Sequence, residues 1–352
     1  MDYKSFGNRC LFDAQNATEK LSKIGNPLER LSQVIDFEMF RPELEENMLN
    51  HDKKSSAGAK PYDVVMMFKV MLLQRYYNLS DEQVEYQIVD RISFKNFLGL
   101  SSGDKVPDAR TLWLFRENLT EKGVVETLFE QFSNYLDGLG LFVNEGQMID
   151  ASFVEVPRQR NTREENQKIK AGEGSGLWHE NLYKKRHKDI DARWRAKNDE
   201  TYYGYKGHAK GDTKSKLIKK YKVTDASVHD SQATEDLLEE RDQGQPLYAD
   251  SAYSGKPIAD MLASKSIENQ IHEKGYKGHP LTDEQKASNN VKSKTRVRVE
   301  HIFGFIEQNM HAFYIRSIGI KRATSIIGLI NLTYNICRYE QIVRLQLLPI
   351  KQ

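Results

Sequence analysis

Two cysteines in 352 residues, Cys10 and Cys337, are too few for a disulfide framework and lack the spacing of a zinc site. A reducing cytoplasm is the expected setting. No run approaches the roughly 20 apolar residues that a bilayer-spanning helix needs. The mean hydropathy of −0.67 agrees, so no membrane partner is expected. Residues 1–16 lack a basic start followed by an apolar core, so no secretion signal is expected either. The glycine run Ala171-Gly172-Glu173-Gly174-Ser175-Gly176 is not followed by Gly-Lys-Ser/Thr, which excludes a P-loop, and it reads as a flexible hinge. No serine or cysteine stands in a nucleophile elbow. His208, His229 and His301 offer no pair at the i, i+4 spacing of a catalytic zinc site.

What the chain does have is enough apolar content to fold, 39% hydrophobic with 10% aromatic, and length for two domains. Its net charge of +2 conceals an asymmetry. Residues 1–157 carry 17 Lys and Arg against 25 Asp and Glu, whereas residues 158–222 carry 19 against 9. A basic stretch of this kind suits a phosphate backbone, because Lys and Arg bind it by releasing condensed counterions. A solvated basic insertion is the plainer explanation.

The pattern of apolar residues divides the chain in three. Up to about residue 140 it is helical. Tyr62 to Arg75 is apolar on more than one face and predicts a core helix. Ser80 and Gln83 have capping-box spacing for a helix through Asp90. A third helix is expected from Pro107-Asp108 to Leu119, and a fourth from Val124 to Leu136 with Gly138 as its stop. Short helices with tight turns suit either a helix-turn-helix reader or a packing and dimerisation bundle. From Leu141 the period becomes that of strands: Phe142-Val143 and Gln147 to Val156 around a turn at Asn144-Glu145-Gly146, then Tyr202 to His208, then Leu217 to Thr224. Residues 158–202 interrupt with a polar, basic insertion. A helix at Ser231 to Arg241, a strand ending at Asp250, a helix at Lys256 to Ser264 and a strand at Ile267 to Ile271 follow. A polar loop from Glu273 to Ser293, a helix at Lys294 to Gln308 and a last helix at Ser325 to Leu345 complete the chain. The sum is a mixed α/β sheet with flanking helices, compatible with a ribonuclease-H-like core.

Within that frame Asp150 closes the apolar run Met148-Ile149-Asp150, Asp250 closes Leu247-Tyr248-Ala249-Asp250, and Glu300 lies in a helical stretch beside Val299 and Ile302. Each has a dull explanation as a turn former, a cap or a surface glutamate. Together, two strand-end aspartates and a helical glutamate can converge on hard divalent ions, and such a site suits phosphodiester chemistry.

The residues Met148 to Ser152, Tyr203-Gly204-Tyr205-Lys206-Gly207-His208, Val228-His229-Asp230-Ser231, Tyr248 to Tyr253 and Arg296 to Gly304 resemble the bacterial insertion-sequence DDE transposases of insertion-sequence family 5. Pro107-Asp108-Ala109-Arg110-Thr111 with Phe115-Arg116 resembles that family's N-terminal helical domain, and the likeness covers about residues 45–340. It implies a helical N-terminal domain over 1–140, for DNA binding or dimerisation, and a ribonuclease-H-like catalytic domain over 141–346 with the basic insertion at 158–202. It further implies two Mg²⁺ or Mn²⁺ ions on Asp150, Asp250 and Glu300. Water would attack a phosphodiester at the element's end, and the freed 3′-hydroxyl would then attack target DNA. Arg296, Arg298, Lys206, Lys210, Lys184, Lys185, Arg186 and Lys188 are the expected backbone contacts, since phosphate contacts position without specifying. Trp178 and Trp194 are candidates for stacking on an unpaired base, or for plain packing. The expected partners are terminal inverted repeats, target DNA and further copies of the chain, in a cytoplasmic, nucleoid-associated protein. The family commonly has Tyr and Lys where this chain has Ser293 and Glu307, so its grip on the terminal phosphate is expected to differ. A non-catalytic DNA-binding derivative and a nuclease that cuts without joining are the alternatives.

Overall fold

The computed structural model describes residues 12–49, 60–197 and 199–351. Cys10 lies outside them. The chain forms two compact units, residues 1–74 with 79–118, and residues 75–78 with 119–352.

The first unit is helical: α1 (Asp13–Ile24), α2 (Pro27–Val34), α3 (Arg41–Met48), α4 (Val64–Tyr76), α5 (Asp81–Asp90), α6 (Ile92–Leu98) and α7 (Ala109–Glu121). Its centre is α4, buried around nearly its whole circumference as its unbroken apolar run predicts. The capping box expected at Ser80 and Gln83 is present at the start of α5. Arg116 reaches both oxygens of Asp81, at 2.5 and 2.8 Å, and Gln74 at 3.0 Å. This fork joins three helices through a half-buried ion pair.

The second unit begins with α8 (Val124–Gly138), which packs on the long terminal helix. Gly138 is the last residue of α8, and the left-handed turn falls instead at Gly140, φ 72°. The sheet comprises β1 (Gln147–Glu155), β2 (Arg193–Lys197), β3 (Glu200–Asp212), β4 (Ile218–Asp225), β5 (Pro246–Tyr248) and β6 (Glu268–Asn269). β3 runs antiparallel to β1 and to β4, while β5 is parallel to β1 and β6 to β5. The order β4-β3-β1-β5-β6, with three antiparallel strands continued by two parallel ones, is ribonuclease-H-like. β2 pairs with the start of β3.

Several local expectations change. β1 does not hairpin with Phe142-Val143; Gln147 pairs with Asp212 and Glu155 with Gly204, so its antiparallel partner is β3. The insertion after β1 is built rather than loose. It holds α9 (Arg163–Lys170), α10 (Leu182–Arg186) and β2, and Gly174, expected in a flexible hinge, is buried against Ile190. The helix expected at 231–241 is broken, keeping only α11 (Thr234–Leu237) between two 3₁₀ turns. α12 (Lys256–Ser264) forms where expected. The polar stretch before Ser293 is largely helical as α13 (Asp283–Arg296), opened by a Thr282–Gln285 capping box. The chain then breaks at Val297 and resumes as α14 (Arg298–Gln308). α15 (Ile320–Leu345) crosses β4, where buried Asn335 accepts from the Ile218 N–H at 2.9 Å and donates to the Ile218 carbonyl at 2.8 Å. No helix among the described residues is long and apolar enough to cross a membrane.

Candidate active site

The parallel ladder between β1 and β5 pairs Gln147 with Leu247 and Met148 with Tyr248 and then stops. Two residues beyond its end on each strand lie Asp150 and Asp250, close enough for the charge of Asp250 to act on the Asp150 carboxyl. Asp150 is therefore not at a strand end; it is mid-way along β1, beyond the point where β5 ceases to pair. Asp250 leaves the sheet and caps the turn Ser251–Tyr253, its Oδ1 accepting from the Ala252 N–H at 2.8 Å. The extended chain after α12 completes this edge, since the His272 N–H donates to the Ala249 carbonyl.

The Asp150 side chain keeps 19% of its surface and accepts from its neighbour's N–H at Ala151, at 2.8 Å. Burial pushes its carboxyl up to about 6, with the like charge of Asp250 adding to the rise; the Ala151 bond and the Arg296 charge oppose it. A charged acid held here with a second one beside it is costly unless a cation joins them. Arg296 supplies one. At the end of α13 its Nη1 lies 3.4 Å from Asp150 Oδ2, and its Nη2 lies 2.9 Å from Glu300 Oε1. Glu300 is on the first turn of α14 and is 56% exposed, rather than turned toward the apolar side of its helix.

The remaining expected contacts separate into groups. Lys206 and Lys210 lie on the sheet face opposite Asp150 and are buried. Lys206 donates to Asp230 at 2.6 Å and to the Val228 carbonyl, and Lys210 to Glu239 and Asp242, both at 2.6 Å. Ammonium groups enclosed in this way have no face left for a phosphate, because the backbone alternation that puts Ile149 inside puts Lys210 with it. Arg298 donates to the Thr213 carbonyl. In the insertion, Lys184 pairs with Glu165 at 2.5 Å, Lys188 donates to the Arg160 carbonyl and Asn161, Lys185 donates to the Ser175 carbonyl, and Arg186 is exposed. Trp178 donates from its indole to Glu165, and Trp194 is exposed beside Arg158.

Three further residues lie near the carboxylates; the sequence singles out Tyr253 within the Tyr248 to Tyr253 motif and Lys197 within the basic stretch, but not His272. His272 meets Ser293 at 3.3 Å; burial, then Arg296 and Lys292, hold its imidazole below the usual range. The Tyr253 phenol is buried with no hydrogen-bond partner among the described residues, and burial followed by Asp150 pushes it well up. Lys197 adds positive potential at Asp150. A pattern of residue types gives no sign of His272, since only the parallel pairing of β6 brings it beside β5.

Residues 142–336 match the family model described as Transposase DDE domain, and residues 15–118 match Transposase domain (DUF772). The chain belongs to the DDE transposases of the insertion-sequence type, and it is an enzyme of that family. A solved structure described as "Cryo-EM structure of piggyBac transposase synaptic complex with hairpin DNA (SNHP)" is similar at 12% identity, over 95% of this chain and 78% of that one, with a TM-score of 0.45.

Members of this family use divalent metal, and the donors present here fit such an ion in kind. Two aspartates lie close enough for their charges to interact, the donor atoms are all oxygen, and a guanidinium already lies between two of the three carboxylates. They are not preassembled: no group of three or more possible ligands is gathered among the described residues, with Glu300 drawn toward Arg296.

Proposed function

We propose that Asp150, Asp250 and Glu300 are the catalytic carboxylates of a transposase that cuts DNA at the ends of an insertion sequence and joins the freed ends to target DNA. The motifs around them resemble those of insertion-sequence family 5, and membership of that family is part of the proposal. The observation that carries this reading is Arg296 linking Asp150 to Glu300, with Asp250 close enough for its charge to act on Asp150. The three carboxylates would hold two Mg²⁺ or Mn²⁺ ions, which supply charge neutralisation at the attacking and leaving oxygens when bound.

The chain's own contribution is placement. β1 is fixed by β3 along its whole length, so Asp150 has little freedom. Asp250 is held by its cap to Ala252. Water attacks the phosphorus at the element's end, the P–O bond to the 3′ oxygen breaks, and that oxygen leaves as a hydroxyl. The 3′-hydroxyl then attacks a target phosphodiester, loses its proton to solvent and displaces the target strand's 3′ oxygen. No covalent enzyme intermediate is required.

Residues 141–346 form the catalytic domain in this reading, and 1–140 serve DNA binding or dimerisation. Arg186 and Lys185 in the insertion, with Arg298 beside the site, are the proposed backbone contacts; Lys184 and Lys188 act through the shape of the insertion they fasten. The partners are terminal inverted repeats, target DNA and at least one further copy of the chain.

The test is an in vitro reaction with the inverted repeats that flank the coding sequence. Mg²⁺-dependent nicking followed by joined products is expected. Nicking without joining favours a nuclease, and DNA binding without nicking favours a non-catalytic derivative.

A further inference from the structure

Arg296 is held differently from the structural ion pairs of this protein. Lys210 is fully buried and makes two contacts of 2.6 Å with Glu239 and Asp242, in the manner of a permanent cross-link. Arg296 gives one nitrogen to each carboxylate instead of a bidentate fork, and its contact with Asp150 is 3.4 Å, at the long end for a hydrogen bond. Its Nε is buried without a hydrogen-bond partner among the described residues. It is the last residue of α13, separated by the single residue Val297 from α14, which carries Glu300.

We propose that Arg296 is an exchangeable internal counter-cation that bridges Asp150 and Glu300 in the metal-free enzyme, surrenders both to a divalent ion, and then turns to a DNA phosphate. This rests on reading the three carboxylates as the metal ligands. The guanidinium and the ion compete for the same oxygens, because two cations cannot neutralise one carboxylate pair without repelling each other. A displaced guanidinium needs another anion, and its planar fork matches the phosphate of a DNA strand. Metal and DNA therefore favour each other's binding by the same factor. Arg296 acts as a positioning residue that keeps the unloaded carboxylates together without repulsion.

The test measures Mn²⁺ binding to the full chain at neutral pH, from the electron paramagnetic resonance of free Mn²⁺. It is run with and without a short duplex of arbitrary sequence, subtracting binding to the duplex alone. The wild type should bind Mn²⁺ roughly tenfold more tightly with the duplex present, within the ordinary range of coupling between sites. Arg296→Gln should bind Mn²⁺ about tenfold more tightly than wild type without DNA, and the duplex should add little. Arg296→Lys, which keeps the charge, should retain the dependence on DNA; it carries the test if the Gln variant does not fold. Arg296→Gln with unchanged or weaker Mn²⁺ binding, or Arg296→Lys without DNA dependence, overturns the inference. Asp150→Asn and Asp250→Asn separate this from the reading beneath it. If neither weakens Mn²⁺ binding, the metal site itself is wrong. If both do and Arg296→Gln does not tighten it, the exchange alone fails.

Discussion

Half-buried Asp150 and buried His208 lie on opposite faces of the same part of the sheet, and their titrations oppose one another. Burial, aided by Asp250, pushes Asp150 up to about 6, above its unfolded value, so the folded protein takes up a proton before the unfolded chain does. Its contribution to stability therefore grows as pH falls from about 6 to 4 and is absent above that window. Burial pushes His208 down to about 4, with its Nδ1 lacking a partner among the described residues, so the unfolded chain binds the proton first. Its contribution is complete above pH 6.5 and is lost as pH falls toward 4. The two nearly cancel in the wild type. In thermal melts of the metal-free protein between pH 7 and pH 4, Asp150→Asn should lose stability on acidification more steeply than wild type, and His208→Gln less steeply. Each difference is on the order of 2 kcal/mol across the window. Parallel curves for all three proteins would show that neither shift exists.

Among the elements, those legible in the sequence are the ones whose signal is local. The capping box at Ser80 and the all-round apolar run of α4 say what they are without reference to any neighbour. The strand at Tyr202–His208 is also legible, although nothing local shows that β1 skips the nearby Phe142-Val143 and pairs with β3 across the insertion. Asp283–Arg296 has the polarity of a loop and is helical through its Thr282 cap and its docking beside β5. The carboxylates were legible as residues, but their register was not, because the pairing of β5 with β1 is set by strand order. Packing along α15 was equally silent. A Cβ at Gly328 would press into the buried hydroxyl of Tyr221 on β4 and lie 2.9 Å from Val125 on α8. Gly328→Ala should destabilise the protein by about 1–3 kcal/mol, the usual cost of overpacking, in urea denaturation. The change should be reduced in the double variant Gly328→Ala/Tyr221→Phe, which removes the closest atom; an unchanged midpoint for the single variant would show that α15 stands further from β4 than described.

For the molecule as a whole, a half-buried aspartate, a second aspartate whose charge acts on it and a glutamate reached through an arginine are the carboxylates proposed for the site, on a ribonuclease-H-like sheet in a chain of the DDE transposase family. Most of the basic residues that composition assigns to DNA are fastened to the protein itself, Lys206, Lys210 and Lys184 among them. The carboxylates, more than the basic charge, therefore carry the proposed activity. Asp250 tests it most directly, because Asp250→Asn keeps an oxygen to accept from the Ala252 N–H and removes the charge. The measurement is Mg²⁺-dependent nicking of a duplex carrying the element's end by Asp250→Asn, with folding and duplex binding confirmed. The account predicts a loss of roughly a hundredfold or more, the scale of removing one electrostatic stabiliser from a transition state. Nicking by Asp250→Asn at near the wild-type rate would contradict it.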